Sequence, residues 1–547
     1  MQEARREAAR SGDLPHRPIV ARARSGWHYS LFAFCVLQSA LLLGCSSAQR
    51  PADPNVITVA ARVGPNSLHP LKANDEGTTR VASLVYESLM EIGEDLRAVA
   101  GLAERLEMPD PLTYVAHVRR GVHFHDGREL TSRDVVFTFR QFLDPKYVSP
   151  YKGAFTVMAD VRAIDDYTVQ FTLKEPFAAF PLANLVPIDI VPAHVDEATL
   201  TQSPVGTGPY RFVRYDVDDK VELAAFEDYW GGAPRNAGVV MKVIPDDTMR
   251  GLELRKGSAD VIMNDIVPDI AYQLERSGDF RAVRALGLDF SYLGFNMRDP
   301  VLSDRRVRHA IGYAIDRQAF AKYLRRDLAR PATGLIPPQA WAYEPDIFTF
   351  SYDPARAMRL LDEAGYRDPD GPEGPLPRLS ISLKISTSEE VRLQSTVIQE
   401  NLRRVGIDLD LRSYEFATVF ADILKGNFQM MSLIWVGGAV IDPDILRRVF
   451  HSSQVPPVGF NRGYYSNPEV DRLIDLASAA LTEPERKRYY AAAQKIIAEE
   501  APYIPIWNRV NVMLARPDLE GLRLTATANF AVLKDVRRVA PTQARGE

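Results

Sequence analysis

Two short stretches of this chain hold side chains suited to catalysis or metal binding. His123-Phe124-His125-Asp126 puts two imidazoles on one face of a strand beside a carboxylate, a start for a zinc site. No further His or Cys cluster stands at metal-ligand spacing, and Asp126-Gly127 reads as a turn, which is the preferred reading. Ser149-Pro150-Tyr151-Lys152 matches the Ser-x-x-Lys of serine acyl-transferases. Its Lys-Thr-Gly companion is missing, and Pro150 disturbs the start of the helix that the chemistry needs. The chain also lacks Gly-x-Ser-x-Gly, His-Glu-x-x-His and Gly-x-x-x-x-Gly-Lys. The expectation is a non-enzyme without metal or cofactor; a surface hydrolase using Ser149 and Lys152 is the weakest alternative.

Two other stretches suit binding. Pro204-Val205-Gly206-Thr207-Gly208-Pro209-Tyr210, followed by Asp228-Tyr229-Trp230, has two glycines that permit backbone a side chain forbids, and Pro209 fixes the next φ. Such a loop can approach a ligand through main-chain groups; the alternative is an ordinary turn before a strand. Trp435-Val436-Gly437-Gly438 and Asp442-Pro443-Asp444 follow the apolar run Phe428 to Ile434, like a strand ending in a binding loop. There an indole beside glycines offers an aromatic floor with accessible backbone; the alternative is a core Trp next to a turn.

The elements that position these stretches alternate along the chain. Ile57 to Val63 reads as a strand, and Val81, Leu84, Val85 and Leu89 recur at helical spacing. Short β-like runs, Tyr114 to Val118 and Thr168 to Leu173, flank a helix capped by Thr131 with Asp134 in its first turn. After a strand over Leu293 to Asn296, helices open at Ser303, at Asp353-Pro354, which stops at Gly365, and at Asn467-Pro468. Ile381 to Lys384 and Ile407 to Leu411 supply strands between them, an α/β pattern.

The N-terminus carries an address. Arg22 and Arg24 precede the apolar run Leu31 to Leu43, whose 13 residues suit a secretory signal and fall short of the roughly 20 that span a bilayer. Leu42-Leu43-Gly44-Cys45 matches a lipobox, with Cys45 as the acylated first residue of the mature chain. The acidic preface through Glu3, Glu7 and Asp13 is unusual for a signal, and a start at Val20 leaves one of ordinary length. Cys35 and Cys45 are the only cysteines, so the mature part has no disulfide and relies on core burial. The chain carries −5 overall, and six Arg against three acids in residues 1–44 leave the remainder at −8, which speaks against a nucleic-acid partner.

Taken in order, these pieces resemble the extracytoplasmic solute-binding proteins of ABC importers in the peptide, oligopeptide and nickel group (family 5). The resemblance rests on Leu84-Val85-Tyr86-Glu87-Ser88-Leu89, on Arg119 to Gly127 with Leu130-Thr131 and Asp134 to Phe137, and on Asp144-Pro145 with Ser149-Pro150-Tyr151. It continues through Pro204 to Tyr210, Asp228-Tyr229-Trp230, Phe295-Asn296, the Arg305 to Asp316 helix and Asp442-Pro443-Asp444, and covers most of residues 56–515.

The resemblance implies a two-lobed α/β periplasmic-binding fold of type II with an inserted α+β subdomain, and a cleft that closes on its ligand. The expected division is 1–44 signal peptide, 45–55 lipidated tether, 56–95 first part of lobe I, 96–203 inserted subdomain, 204–296 second part of lobe I, 297–504 lobe II, and 505–547 third part of lobe I with the tail. Crossovers are expected near Asn296 and Pro505. The expected cleft residues are Asn66, Ser67 and His69, then Gly206, Thr207, Gly208, Pro209 and Tyr210, then Trp435, Gly437, Gly438, Asp442 and Tyr464. His69 reads equally as a turn residue, and Tyr464 as a neighbour of the Asn467 helix. In peptide-binding members the third residue after the tryptophan is an aspartate that pairs with the ligand's N-terminal ammonium; here it is Gly438, with Asp442 as a substitute. The implied partners are a peptide or similar small solute, a membrane permease, and a lipid anchor on an extracytoplasmic monomer. A receptor for a membrane sensor is the alternative.

Overall fold

The computed structural model describes residues 55–73, 75–371, 374–437 and 441–539; the signal, the Cys45 lipidation site and Gly438 lie outside them. Among the described residues, eleven strands join in one mixed sheet that serves both lobes. From one edge the order is Ile407–Tyr414, Leu379–Ser386, Met430–Trp435, Arg281–Phe295, Tyr503–Ala515, Val261–Met263, Val56–Ala61, Gly238–Val243, Lys220–Ala225 and Tyr210–Asp216. Ala329–Pro331 pairs alongside Tyr503–Ala515.

Two strands of this sheet are long, 15 and 13 residues, and run antiparallel to each other. At about 3.3 Å per residue, the longer one reaches roughly 50 Å, enough to belong to both lobes. Its first part pairs with the partner beside the first-lobe strands, and Phe290 to Phe295 pair with Met430–Trp435 of the second lobe. The ladder between them slips between Leu286 and Phe290 and again at Ser291 and Tyr292. This break in register falls several residues before Asn296, and its partners Asn508 and Val510 a few residues after Pro505. Strand ends looked like lobe ends because local apolar pattern marks where a strand exists, not which sheet each half joins.

The inserted subdomain is a four-stranded antiparallel sheet, Ala103–Asp110, Thr113–Val118, Thr168–Leu173 and Met158–Asp165 in spatial order. Helix Ser132–Leu143 lies on it, with the capping box of Thr131 and Asp134 formed as expected. Phe139 packs edge-on to Phe171 at 4.9 Å, and Phe142 stacks on Phe155 at 4.2 Å. The helices expected at Asp353-Pro354 and Asn467-Pro468 begin there, each with its Asp or Asn side chain accepting from first-turn amides. The helix expected from Ser303 is capped one residue later, by Asp304.

One hairpin bridges the lobes. Between Met90–Ile92 and Ala98–Ala100 the chain turns through Leu96, at φ 59°, whose side chain is fully buried among the second-lobe residues Trp341, Ile441 and Tyr490. Next to it the Arg97 guanidinium donates to both oxygens of Glu483, at 2.9 and 2.6 Å, on the second-lobe helix Glu483–Glu500. Both side chains of this pair are about half exposed, so the pair contributes little to global stability. Its effect is on the interlobe angle. Arg97→Ala should leave the denaturation midpoint within about 1 kcal/mol of wild type. It should also widen the distribution of interlobe distances measured between spin labels on the two lobes; an unchanged distribution excludes a bridging role.

Candidate functional site

The lobes enclose a cleft of about 2420 Å³. One wall is first-lobe: Tyr86, Glu87, Glu91, Glu94 and Asp189 with the apolar Phe177 and Leu182. The opposite wall is second-lobe: Arg325, Glu390, Gln394, Gly437, Asp442 and Arg448. The crossing strands form the floor between them through Leu288, Asp289, Arg509 and Asn511.

The Gly206 to Tyr210 loop lies behind the first wall. A β-carbon on Gly206 would stand 2.0 Å from the Val85 carbonyl oxygen, and one on Gly208 2.7 Å from the Val85 carbonyl carbon. The glycines let the loop seat against the end of helix Glu76–Val85, where the Gly208 amide donates to Val85 O at 2.9 Å. His125 holds the main chain of both glycines: its amide donates to Gly206 O, its Nδ1 accepts from the Gly206 amide, and its Nε2 lies 2.9 Å from Gly208 O, while Pro209 O accepts from the Phe226 amide. With Nδ1 accepting, the proton sits on Nε2, and burial holds this imidazole down at about 4. His125 is therefore the clamp of the loop. Of the five expected loop residues, only Pro209 lines the cleft. Thr207 and Tyr210 point into the protein, to Glu87 and Asn236.

The first loop also differs from expectation. His69 is buried, its Nδ1 accepts from the Leu71 amide, and burial lowers it to about 4. The Ser67 hydroxyl accepts from the His69 amide, and Asn66 is exposed; none of the three lines the cleft. Polar residues in a loop after a strand suggested contact, but here they satisfy the backbone of a short helical turn.

In the second lobe, Gly437 and Asp442 line the cleft, whereas Trp435 and Tyr464 do not. Trp435 is buried with Arg462 4.9 Å from its ring and Phe460 at 5.4 Å, so its faces are covered and it is no open platform. Tyr464 stacks under the Arg298 guanidinium at 3.4 Å, away from the cleft. Asp442 lies 3.5 Å from Arg486 and accepts from the Asp444 amide; burial raises it to about 6 against those two stabilising partners. The Gly437 amide donates to Asp289 Oδ1 at 2.9 Å, while Asp289 Oδ2 lies 2.7 Å from Arg509 Nε.

Sequence reading missed the centre of the first wall, Glu87. Its Oε1 accepts from Tyr229 Oη at 2.6 Å, and its Oε2 from Trp230 Nε1 at 2.8 Å and Thr207 Oγ1 at 2.9 Å. The Thr207 and Tyr229-Trp230 motifs, more than twenty residues apart in the chain, thus converge on one carboxylate. Burial is the main force raising Glu87 to about 7; the three donors oppose it and the Glu91 charge adds to it. Ser149 and Lys152 are structural: the Ser149 hydroxyl donates to Leu71 O at 2.7 Å, and the Lys152 ammonium donates to the carbonyls of Asp144, Pro145 and Tyr147.

The chain is similar in sequence and fold to known proteins. The family model for bacterial extracellular solute-binding proteins, family 5 (middle), matches residues 97–456. The chain is 32% identical over 508 residues to the glutathione-binding protein GsiB of Salmonella choleraesuis, covering 90% of this chain and 97% of that one. It is 28% identical over 496 residues to the oligopeptide-binding protein AppA of Bacillus subtilis, covering 87% and 90%. The solved structure of that AppA with a nonapeptide superposes with a TM-score of 0.70 at 26% identity, over 89% of this chain and all of that one. Two lobes on one shared sheet, an inserted subdomain and a charged cleft between them accompany that likeness along nearly the whole chain, and the chain belongs to the extracellular solute-binding proteins of family 5.

Proposed function

We propose that this protein captures a peptide or similar small solute in its interlobe cleft and delivers it to the membrane permease of an ABC importer. In this reading an acyl chain on Cys45 anchors it to a membrane on the periplasmic side of the cell envelope. The observation that carries the reading is the cleft itself: about 2420 Å³, walled by both lobes and floored by the strands that join them. The names of the relatives, oligopeptide-binding and glutathione-binding, agree with a small peptide-like solute. Hinge closure around such a ligand is the motion this architecture allows.

Native mass spectrometry of the protein purified from its own envelope tests this. The expected result is a stoichiometric adduct in the mass range of a small peptide, released by partial denaturation. An apo protein that binds neither a peptide mixture nor an extract of its growth medium overturns the reading.

A further inference from the structure

The first-lobe wall carries carboxylates that no cation among the described residues pairs with. Among the described residues, Asp189, Glu91 and Glu94 have neither an ion pair nor a side-chain hydrogen bond, and the partners of Glu87 are all neutral. Asp189 is only partly exposed, so its carboxylate is held without a cation in a part-desolvated wall. Burial, chiefly, and the neighbouring Glu87 charge raise it to about 7. A separate observation points the same way. The Tyr86 side chain is 2% exposed and lines the cleft, yet its hydroxyl has no hydrogen-bond partner; the Val205 backbone lies alongside but outside bonding geometry. A buried hydroxyl is rarely left unpaired. On the opposite wall, Asp442 already has Arg486 and the Asp444 amide.

We propose that Asp189 and Tyr86 form the anchor for a primary ammonium group of the ligand, with Glu87, Glu91 and Glu94 supplying the surrounding negative field. An ammonium has three N–H donors and no acceptor. The two Asp189 oxygens and the Tyr86 oxygen are three acceptors on one wall. The proposal deepens the peptide reading and rests on it: the ligand carries a free amine even though Gly438 stands where peptide binders hold an aspartate, because the counter-charge lies on the other lobe. The amine comes either from a peptide N-terminus or from a lysine side chain.

The test uses the full chain, freed of ligand, and casein peptides prepared in three ways: tryptic digest untreated, casein acetylated before trypsin so that only α-amines are free, and digest acetylated afterwards so that none is. Bound fractions are read by native mass spectrometry. The wild type should retain peptides from the untreated digest and lose them by about tenfold or more from the fully blocked one. Retention from the pre-acetylated casein assigns the α-amine; loss there as well assigns the lysine amine. Asp189→Asn should reproduce the tenfold loss on untreated peptides, and Tyr86→Phe a smaller one. Thermal melts confirm that each variant is folded, and Tyr86→Phe stands as the second test if Asp189→Asn is not. Equal retention of blocked and free peptides overturns the ammonium anchor and leaves the peptide reading intact. Binding of no peptide in any preparation overturns both.

Discussion

Gly206→Ala should unfold this protein more readily by about 3 kcal/mol or more, while a Pro209→Ala variant should stay close to wild type in stability. The new β-carbon would sit 2.0 Å from the Val85 carbonyl oxygen and 2.8 Å from the Tyr86 ring, with the Val85 carbonyl carbon also 2.8 Å away. Two of those three atoms are backbone at the end of a packed helix, so no rotamer change relieves the overlap. The loop would have to lift, and lifting it breaks the Gly208 to Val85 bond and the His125 clamp together. Each buried bond lost leaves a polar group unpaired at roughly 1 to 3 kcal/mol. Urea denaturation at neutral pH measures this. A variant with an unchanged midpoint and weakened ligand binding would mean that the loop meets the ligand through its backbone after all.

The second large effect belongs to Glu87. Glu87→Ala removes the acceptor of three donors, from Thr207, Tyr229 and Trp230, in a site where Glu87 is 8% exposed. Leaving such donors unpaired should lower stability by about 3 to 5 kcal/mol, and intrinsic Trp230 emission should shift as the indole loses its partner. Glu87→Gln keeps the shape and one strong acceptor and should cost far less.

The two variants also separate packing from charge. The Glu87 carboxyl is held up at about 7 when folded, against an ordinary 4.5, chiefly by burial. The folded state therefore binds the extra proton between those two values. Its contribution is fully present below about 4.5 and is lost as pH rises through about 7. In Glu87→Gln the pH dependence of the denaturation midpoint should flatten across that window. A slope identical to wild type would show that Glu87 titrates as an ordinary carboxylate.

How much of this was legible in the chain depends on how local the physics is. Asp353 and Asn467 cap their helices as read, because capping needs only a side-chain acceptor and about three residues of context, and the Pro that follows each marks the first helical position. The Thr131 box was legible for the same reason. The Gly206 loop was recognised but its purpose was not. A glycine shows that something approaches the backbone, and what approaches here is Val85, more than a hundred residues earlier. Trp435 and Tyr464 were read as cleft residues from their neighbours in sequence, and both are covered by arginines that fold onto them from elsewhere, Arg462 and Arg298. The acidic wall had a signal that went unused: Glu87, Glu91 and Glu94 follow one another at short intervals after an apolar helix. Their convergence with Asp189 needed the fold.

The slip in the crossing strands has a further meaning for how binding is reported. Asp289 lies in the segment between Leu286 and Phe290 where the ladder loses register, and the same carboxylate holds the Gly437 amide at the mouth of the second-lobe loop. Any twist of the joint turns Asp289, and turning Asp289 pulls on that loop. One carboxylate thus ties the register slip of the joint to the second-lobe edge of the cleft, so that a displacement at either end would be carried to the other.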